Sequence, residues 1–174
     1  LTDNDVGKPV GAITYTQMLN EKGGIECDLT VSRIGHDHFY LITGTAFIKH
    51  DLNWIEKHLP ENHSLSVTDA TSSRACITLC GPKARNILKG VTGEDVSPER
   101  FPYMTCKQIY IGCAPVLALR VSYVGELGWE LHVPTEYALH VYDKIWEAGA
   151  PFDLVNAGYR SIDSLRLEKG YRYW

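Results

Sequence analysis

The chain has no run of basic residues, and 17 Lys+Arg against 21 Asp+Glu leave a formal net charge of -4. That balance repels a phosphate backbone, which argues against a nucleic-acid binder. No stretch approaches the ~18 consecutive apolar residues of a membrane span. The five cysteines, Cys27, Cys76, Cys80, Cys106 and Cys113, contain no Cys-x-x-Cys pair and are odd in number. Both facts argue against a disulfide framework or a zinc ribbon and fit a reducing compartment. A Gly-x-Gly-x-x-Gly dinucleotide fingerprint is absent, as are tandem repeats and low-complexity linkers.

What is present is an ordinary globular composition. With 174 residues, 44% hydrophobic and 22% charged, the chain suffices for one sizeable core or two small ones. Period-2 alternation and β-branched or aromatic content predict strands near 12–19, 25–33, 38–43, 64–70, 74–80, 104–111, 115–123 and 128–133. Helical spacing predicts helices over 50–59, 82–92, 135–148 and 156–170. Strands that follow one another as hairpins, with helices between groups of them, indicate an α+β fold with antiparallel sheets. The order suggests two β-β-α-β-like layers, roughly 1–70 and 74–174. Cysteines on apolar strand faces read as small core residues, and His36-Asp37-His38, between two strand patterns, reads as a turn, so no metal site is expected.

Three stretches carry candidate chemistry. In "LNEKGGIECDLTV", residues 19–31, Ile25, Cys27, Leu29 and Val31 share one side of a strand, and Glu26, Asp28 and Thr30 the other. Aspartate is depleted in strands, so Asp28 is either on a solvated face or there for a chemical reason. In "SYVGELGWELHVP", residues 122–134, Gly125 and Gly128 bracket Glu126, so a sharp turn fixes a carboxylate at its tip. A plain hairpin with an exposed acid accounts for the same pattern. In "NAGYRSIDSLRLEKGYRYW", residues 156–174, Asn156 is placed to cap a helix on which Arg160 and Arg166 lie within reach of Asp163. The alternatives there are a salt-bridged surface and an arginine that meets an anionic ligand.

Those stretches, with "HFYLITG" and "GPKARNIL" between them in order, resemble the tetrahydrofolate-binding aminomethyltransferase family. That family includes the glycine cleavage T-protein and the folate-binding parts of sarcosine and dimethylglycine dehydrogenases. The resemblance covers nearly the whole chain, and the ending is most similar to the dehydrogenases. It implies two ferredoxin-like layers of the folate-binding fold, with an N-terminal FAD region and a C-terminal barrel lying outside this segment.

By the same resemblance, Asp28 matches the acid beside the reactive nitrogens of folate, Tyr40 and Ile42 match positions that pack on the pterin, and Glu126 matches the acid that receives the pterin ring. A pterin presents N3–H and a 2-amino group side by side, a donor pair that both oxygens of a carboxylate accept. Where the T-protein has an arginine, this chain has Ile162, so that contact does not carry over; Arg160 is the candidate to replace it. The implied activity is formation of 5,10-methylenetetrahydrofolate from the carbon released by oxidative demethylation of sarcosine or dimethylglycine. The implied ligands are tetrahydrofolate and a small amine-derived imine, with FAD only in the N-terminal region.

The resemblance implies a mitochondrial matrix location for a eukaryotic source and cytoplasm for a bacterial one. "EYALHVY" is similar to the regulatory subunit of pyruvate dehydrogenase phosphatase, so a non-catalytic regulator with a vestigial folate pocket and a protein partner is the alternative. A third branch, the folate-dependent protein of iron–sulfur assembly, carries a Lys-Gly-Cys-Tyr motif. Here the residues are Lys169-Gly170-Tyr171-Arg172, without its cysteine.

Overall fold

Strict alternation builds the first sheet. Strands β1 (Ile13–Leu19), β2 (Ile25–Gly35) and β3 (His38–Thr43) form an antiparallel meander in the order β1-β2-β3. The turn between β1 and β2 is held by Asn20, whose Oδ1 accepts from the Lys22 and Gly24 amides, both at 2.9 Å. His36 and Asp37 form the exposed turn into β3. Met18, Cys27, Leu29 and Val31 face helix α1 (Ile48–Lys57) and pack with its Trp54 and Ile55. Each such buried aliphatic side chain contributes roughly 1.5–3 kcal/mol. The computed structural model describes residues 1–174. The chain divides into two units, Leu1–Thr71 with this sheet and Ser72–Trp174.

The second unit has a larger apolar core. Strands β4 (Arg74–Cys80), β5 (Cys106–Ile111), β6 (Ala114–Leu119) and β7 (Gly128–Pro134) make a wholly antiparallel sheet in the order β4-β7-β6-β5. Helix α2 (Ala84–Val91) follows β4, and α3 (Ala138–Gly149) and α4 (Ser161–Glu168) follow β7. Ile87, Leu88, Val141 and Ile145 of α2 and α3 pack with Ile109, Val116, Trp129, Leu131 and Val133 of the sheet. Trp129 is fully buried, edge-on to Phe101 at 6.0 Å, with the guanidinium groups of Arg85 and Arg120 at 5.1 and 4.8 Å from its ring.

The α+β class and antiparallel sheets agree with the sequence reading; four local details differ. Residues 64–70 form no strand, and Leu65 and Val67 are exposed. Alternation alone does not supply a ladder partner. The last helix begins at Ser161 rather than near 156 because Asn156 spends its side chain elsewhere, donating to Tyr142 Oη at 2.7 Å. Thr135 likewise donates to the Ser72 carbonyl at 3.1 Å and does not cap α3. Cys76 and Cys80 are not core residues. In β4 the core side is Leu79 and Ile77, which leaves Cys76 exposed and Cys80 half-buried on the opposite face.

Candidate functional site

In the first unit, register decides which side chains meet. Asp28 stands opposite Gln17 of β1, Thr30 opposite both Tyr15 of β1 and Ile42 of β3, and Ser32 opposite Tyr40. Cross-strand partners share a face, so Asp28, Ile42 and Tyr40 lie on one side of the sheet, the side opposite Cys27 and Leu29. Four residues separate the Asp28 and Ser32 positions, a span of roughly 13 Å. Ile42 and Tyr15 fill the positions between them. Gln17 Nε2 donates to Asp28 Oδ1 at 2.8 Å. That bond fixes the plane of a half-buried carboxylate and leaves Oδ2 as an acceptor. Tyr15 is 53% exposed on this face. Neither Gln17 nor Tyr15 is among the residues that the sequence reading singled out. The "TYTQ" alternation before the Gly-Gly turn was the available signal.

In the second unit, the turn that carries Glu126 is rigid for identifiable reasons. Gly125 has φ +72°, and a Cβ there would overlap the Lys169 side chain; a Cβ at Gly128 would fall 2.9 Å from the Leu79 carbonyl oxygen. Gly81 N–H donates to the Leu127 carbonyl at 2.8 Å, and Arg120 donates to the Gly128 carbonyl at 3.1 Å. The Glu126 side chain is exposed, immediately before these two anchored carbonyls. Burial, and next the nearby Arg85 charge, hold the Arg120 guanidinium below its ordinary pKa.

The C-terminal segment closes on the same loop. Tyr123 Oη donates to the Arg172 carbonyl at 2.9 Å, and the Tyr123 and Tyr171 rings stack at 6.3 Å. Arg166 pairs with Asp163 at 2.9 Å, donates to the Tyr171 carbonyl at 3.0 Å and lies over the rings of Tyr123 and Tyr173. Arg166 is thus a structural clip. Arg160 is exposed at the start of α4, and the partner of Asp163 is Arg166. Ile162 lines a cleft of about 410 Å³ along the outer edge of β4, together with Thr78, Glu130, Tyr142, Trp146 and Tyr159.

Similarity to known proteins decides the family. Residues 1–174 match the GCVT N-terminal domain. The chain belongs to that family. It is 42% identical to mitochondrial sarcosine dehydrogenase of Homo sapiens, covering 98% of this chain and 20% of the relative. It is also 36% identical to the mitochondrial pyruvate dehydrogenase phosphatase regulatory subunit of Mus musculus, over 98% of this chain and 20% of that protein. The chain therefore spans about a fifth of the length of these curated relatives. The crystal structure of glycine cleavage system aminomethyltransferase T from Bartonella henselae superposes with a TM-score of 0.76 at 24% identity, over 95% of this chain and 42% of the other. That likeness establishes that this GCVT domain has the aminomethyltransferase fold.

Proposed function

We propose that this GCVT domain binds tetrahydrofolate and directs a one-carbon unit onto it, as the folate part of an enzyme that demethylates sarcosine or dimethylglycine. The observation that carries the reading is the acid at Asp28, held by Gln17 on a sheet face that also presents Ile42 and Tyr40. An apolar and aromatic strip beside an oriented carboxylate suits a flat heterocycle with polar nitrogens. Bound tetrahydrofolate supplies the amine nitrogens that capture the carbon.

In this assignment Glu126 accepts the N3–H and 2-amino donors of the pterin with its two oxygens, and its exposed position at the turn tip leaves both available. Asp28 stabilises the positive charge of an incoming iminium carbon and orients the reactive nitrogens. Arg160, exposed on α4, is the cation for an anionic portion of the ligand, such as a glutamate tail. In this reading, which follows the resemblance, FAD and the oxidation step belong to an N-terminal region outside this segment. The mitochondrial relatives support a matrix location.

The phosphatase regulatory subunit at 36% identity favours a second reading, in which the domain binds a partner protein and its folate pocket is vestigial. The turn Gly125-Glu126-Leu127-Gly128-Trp129-Glu130, with its carboxylate free at the tip, supports the folate reading. Calorimetric titration with tetrahydrofolate separates them. The enzyme reading predicts saturable binding that Glu126→Ala weakens by at least tenfold. A folded chain that gives no saturable heat supports the regulator.

A further inference from the structure

On the helix-covered face of the first sheet, turned away from Asp28, lies a group of side chains outside the proposed folate site. Cys27 of β2 is completely buried and Asp51, in the first turn of α1, is 2% exposed, whereas His50 beside it is exposed. One donor atom from each of the three lies within 4.8 Å of the other two. His50 Nδ1 is 2.9 Å from Asp51 Oδ1, and its Nε2 is 3.6 Å from Glu26 Oε2. Thr43 Oγ1 donates to Asp51 Oδ2, and Asn20 Nδ2 donates to Glu26 Oε1 at 2.8 Å.

We propose that Cys27, His50 and Asp51 bind a divalent transition-metal ion of the zinc type, through Sγ, Nδ1 and Oδ1, with Glu26 orienting the imidazole through Nε2–H. The ligand set is one thiolate, one imidazole and one carboxylate. Such sets suit Zn²⁺ and disfavour the all-oxygen cations Mg²⁺ and Ca²⁺. Metal–ligand bonds of about 2.0–2.3 Å put tetrahedral ligands roughly 3.5 Å apart, so the 2.9 Å His50–Asp51 pair must open slightly to admit the ion while the set as a whole stays within 4.8 Å, an adjustment that the exposed His50 side chain can supply.

The second layer of contacts is also in place. A ligating histidine commonly gives its other N–H to a carboxylate; Glu26 Oε2, 3.6 Å from His50 Nε2, is placed to accept it once the ring turns onto the ion, and Thr43 occupies Asp51 Oδ2 so that Oδ1 is the oxygen turned to the ion. Charge balances as well. The ion displaces one proton from the Cys27 thiol to solvent, and M²⁺ with one thiolate and one carboxylate is neutral, which suits a buried position. The exposed side of His50 provides the entry path and room for a fourth ligand from solvent. Cys27 and His50 lie far apart in sequence and match no metal-motif spacing, which is why pattern reading passes over them.

The test is titration of the metal-stripped full chain with Co²⁺, which replaces Zn²⁺ and reports thiolate ligation through a charge-transfer band. One equivalent of Co²⁺ is expected to produce the band, Zn²⁺ to abolish it, and Cys27→Ser to prevent it. Glu26→Gln is expected to weaken Co²⁺ binding about 10–100-fold without removing the band. His50→Gln, at an exposed residue, keeps the test decisive should Cys27→Ser fail to fold, and it is expected to weaken binding at least as much. The proposal is overturned by a folded wild-type chain that shows no band, by a Co²⁺ affinity unchanged in His50→Gln, or by a band that survives Cys27→Ser. It is equally overturned by a band lost in Cys76→Ser, because Cys76, Glu130 and His132 form the other cluster able to hold an ion.

Discussion

The two units use their sheets differently. In the second, Trp129, Leu131 and Val133 of β7 are buried in a continuous apolar cluster with α2 and α3. In the first, a single helix covers one face over the cluster of Met18, Cys27, Leu29 and Val31, and the other face bears Gln17, Asp28, Tyr15 and Tyr40. The difference separates stability from chemistry. Substitutions at β7 core positions should act on folding, and substitutions on the polar face of β2 should act on ligand and transfer.

Trp129→Ala tests that separation most severely. Removing a fully buried indole from between Phe101 and the two guanidinium groups is expected to cost about 3–5 kcal/mol, read as a lower denaturant midpoint, whereas Leu29→Ala in the smaller cluster should cost about 2–3 kcal/mol. Equal or inverted costs would break the comparison. Asp28→Asn is expected to lower one-carbon capture about 100-fold while stability stays within about 0.5 kcal/mol, since the side chain is half-buried and Gln17 can still donate to the amide oxygen. Gln17→Ala should act in the same direction with a smaller loss, roughly tenfold, by releasing the Asp28 carboxylate from its fixed plane; unchanged capture would show that the Gln17 contact is incidental.

The smallest expected effect concerns pH. Asp3 accepts hydrogen bonds from Thr16 Oγ1 at 2.6 Å and from the Gln17 amide at 3.1 Å, and these, the Thr16 bond first, hold its pKa below the ordinary 3.8. A depressed carboxylate stabilises the fold above its unfolded pKa and loses that contribution as pH falls through the folded value. Asp3→Asn should therefore lower the melting temperature slightly at neutral pH. The difference should begin to shrink below pH 3.8 and vanish once the pH is below the lowered folded value.

Much of the fold was legible because alternation marks strands whatever lies beyond them. Which face turns inward was less so. A period of two shows that Cys76, Thr78 and Cys80 share a side, but it does not say whether that side is the core, and here it is not. The strand expected at 64–70 failed because pairing is a property of two segments. The cap expected at Asn156 failed because the nearby Tyr142 hydroxyl takes the side-chain donor. Within the candidate site, Asp28 and Glu126 stood out as an acid in a strand and an acid at a glycine-bracketed turn, whereas their roles, and Tyr40 and Ile42, came from a family resemblance. Gln17 and Tyr15 depend on the β1–β2 register, which includes an irregularity between Met18 and Leu19 that no local pattern announces.

The central claim is a division of labour, in which Glu126 holds the pterin and Asp28 governs transfer. It is tested most directly by grafting this chain into human sarcosine dehydrogenase in place of the corresponding segment and measuring how the released carbon divides between 5,10-methylenetetrahydrofolate and free formaldehyde. The account predicts that Asp28→Asn shifts the carbon to formaldehyde while tetrahydrofolate affinity stays within a few-fold of the unsubstituted chimera. An Asp28→Asn protein that still delivers its carbon to folate would contradict it.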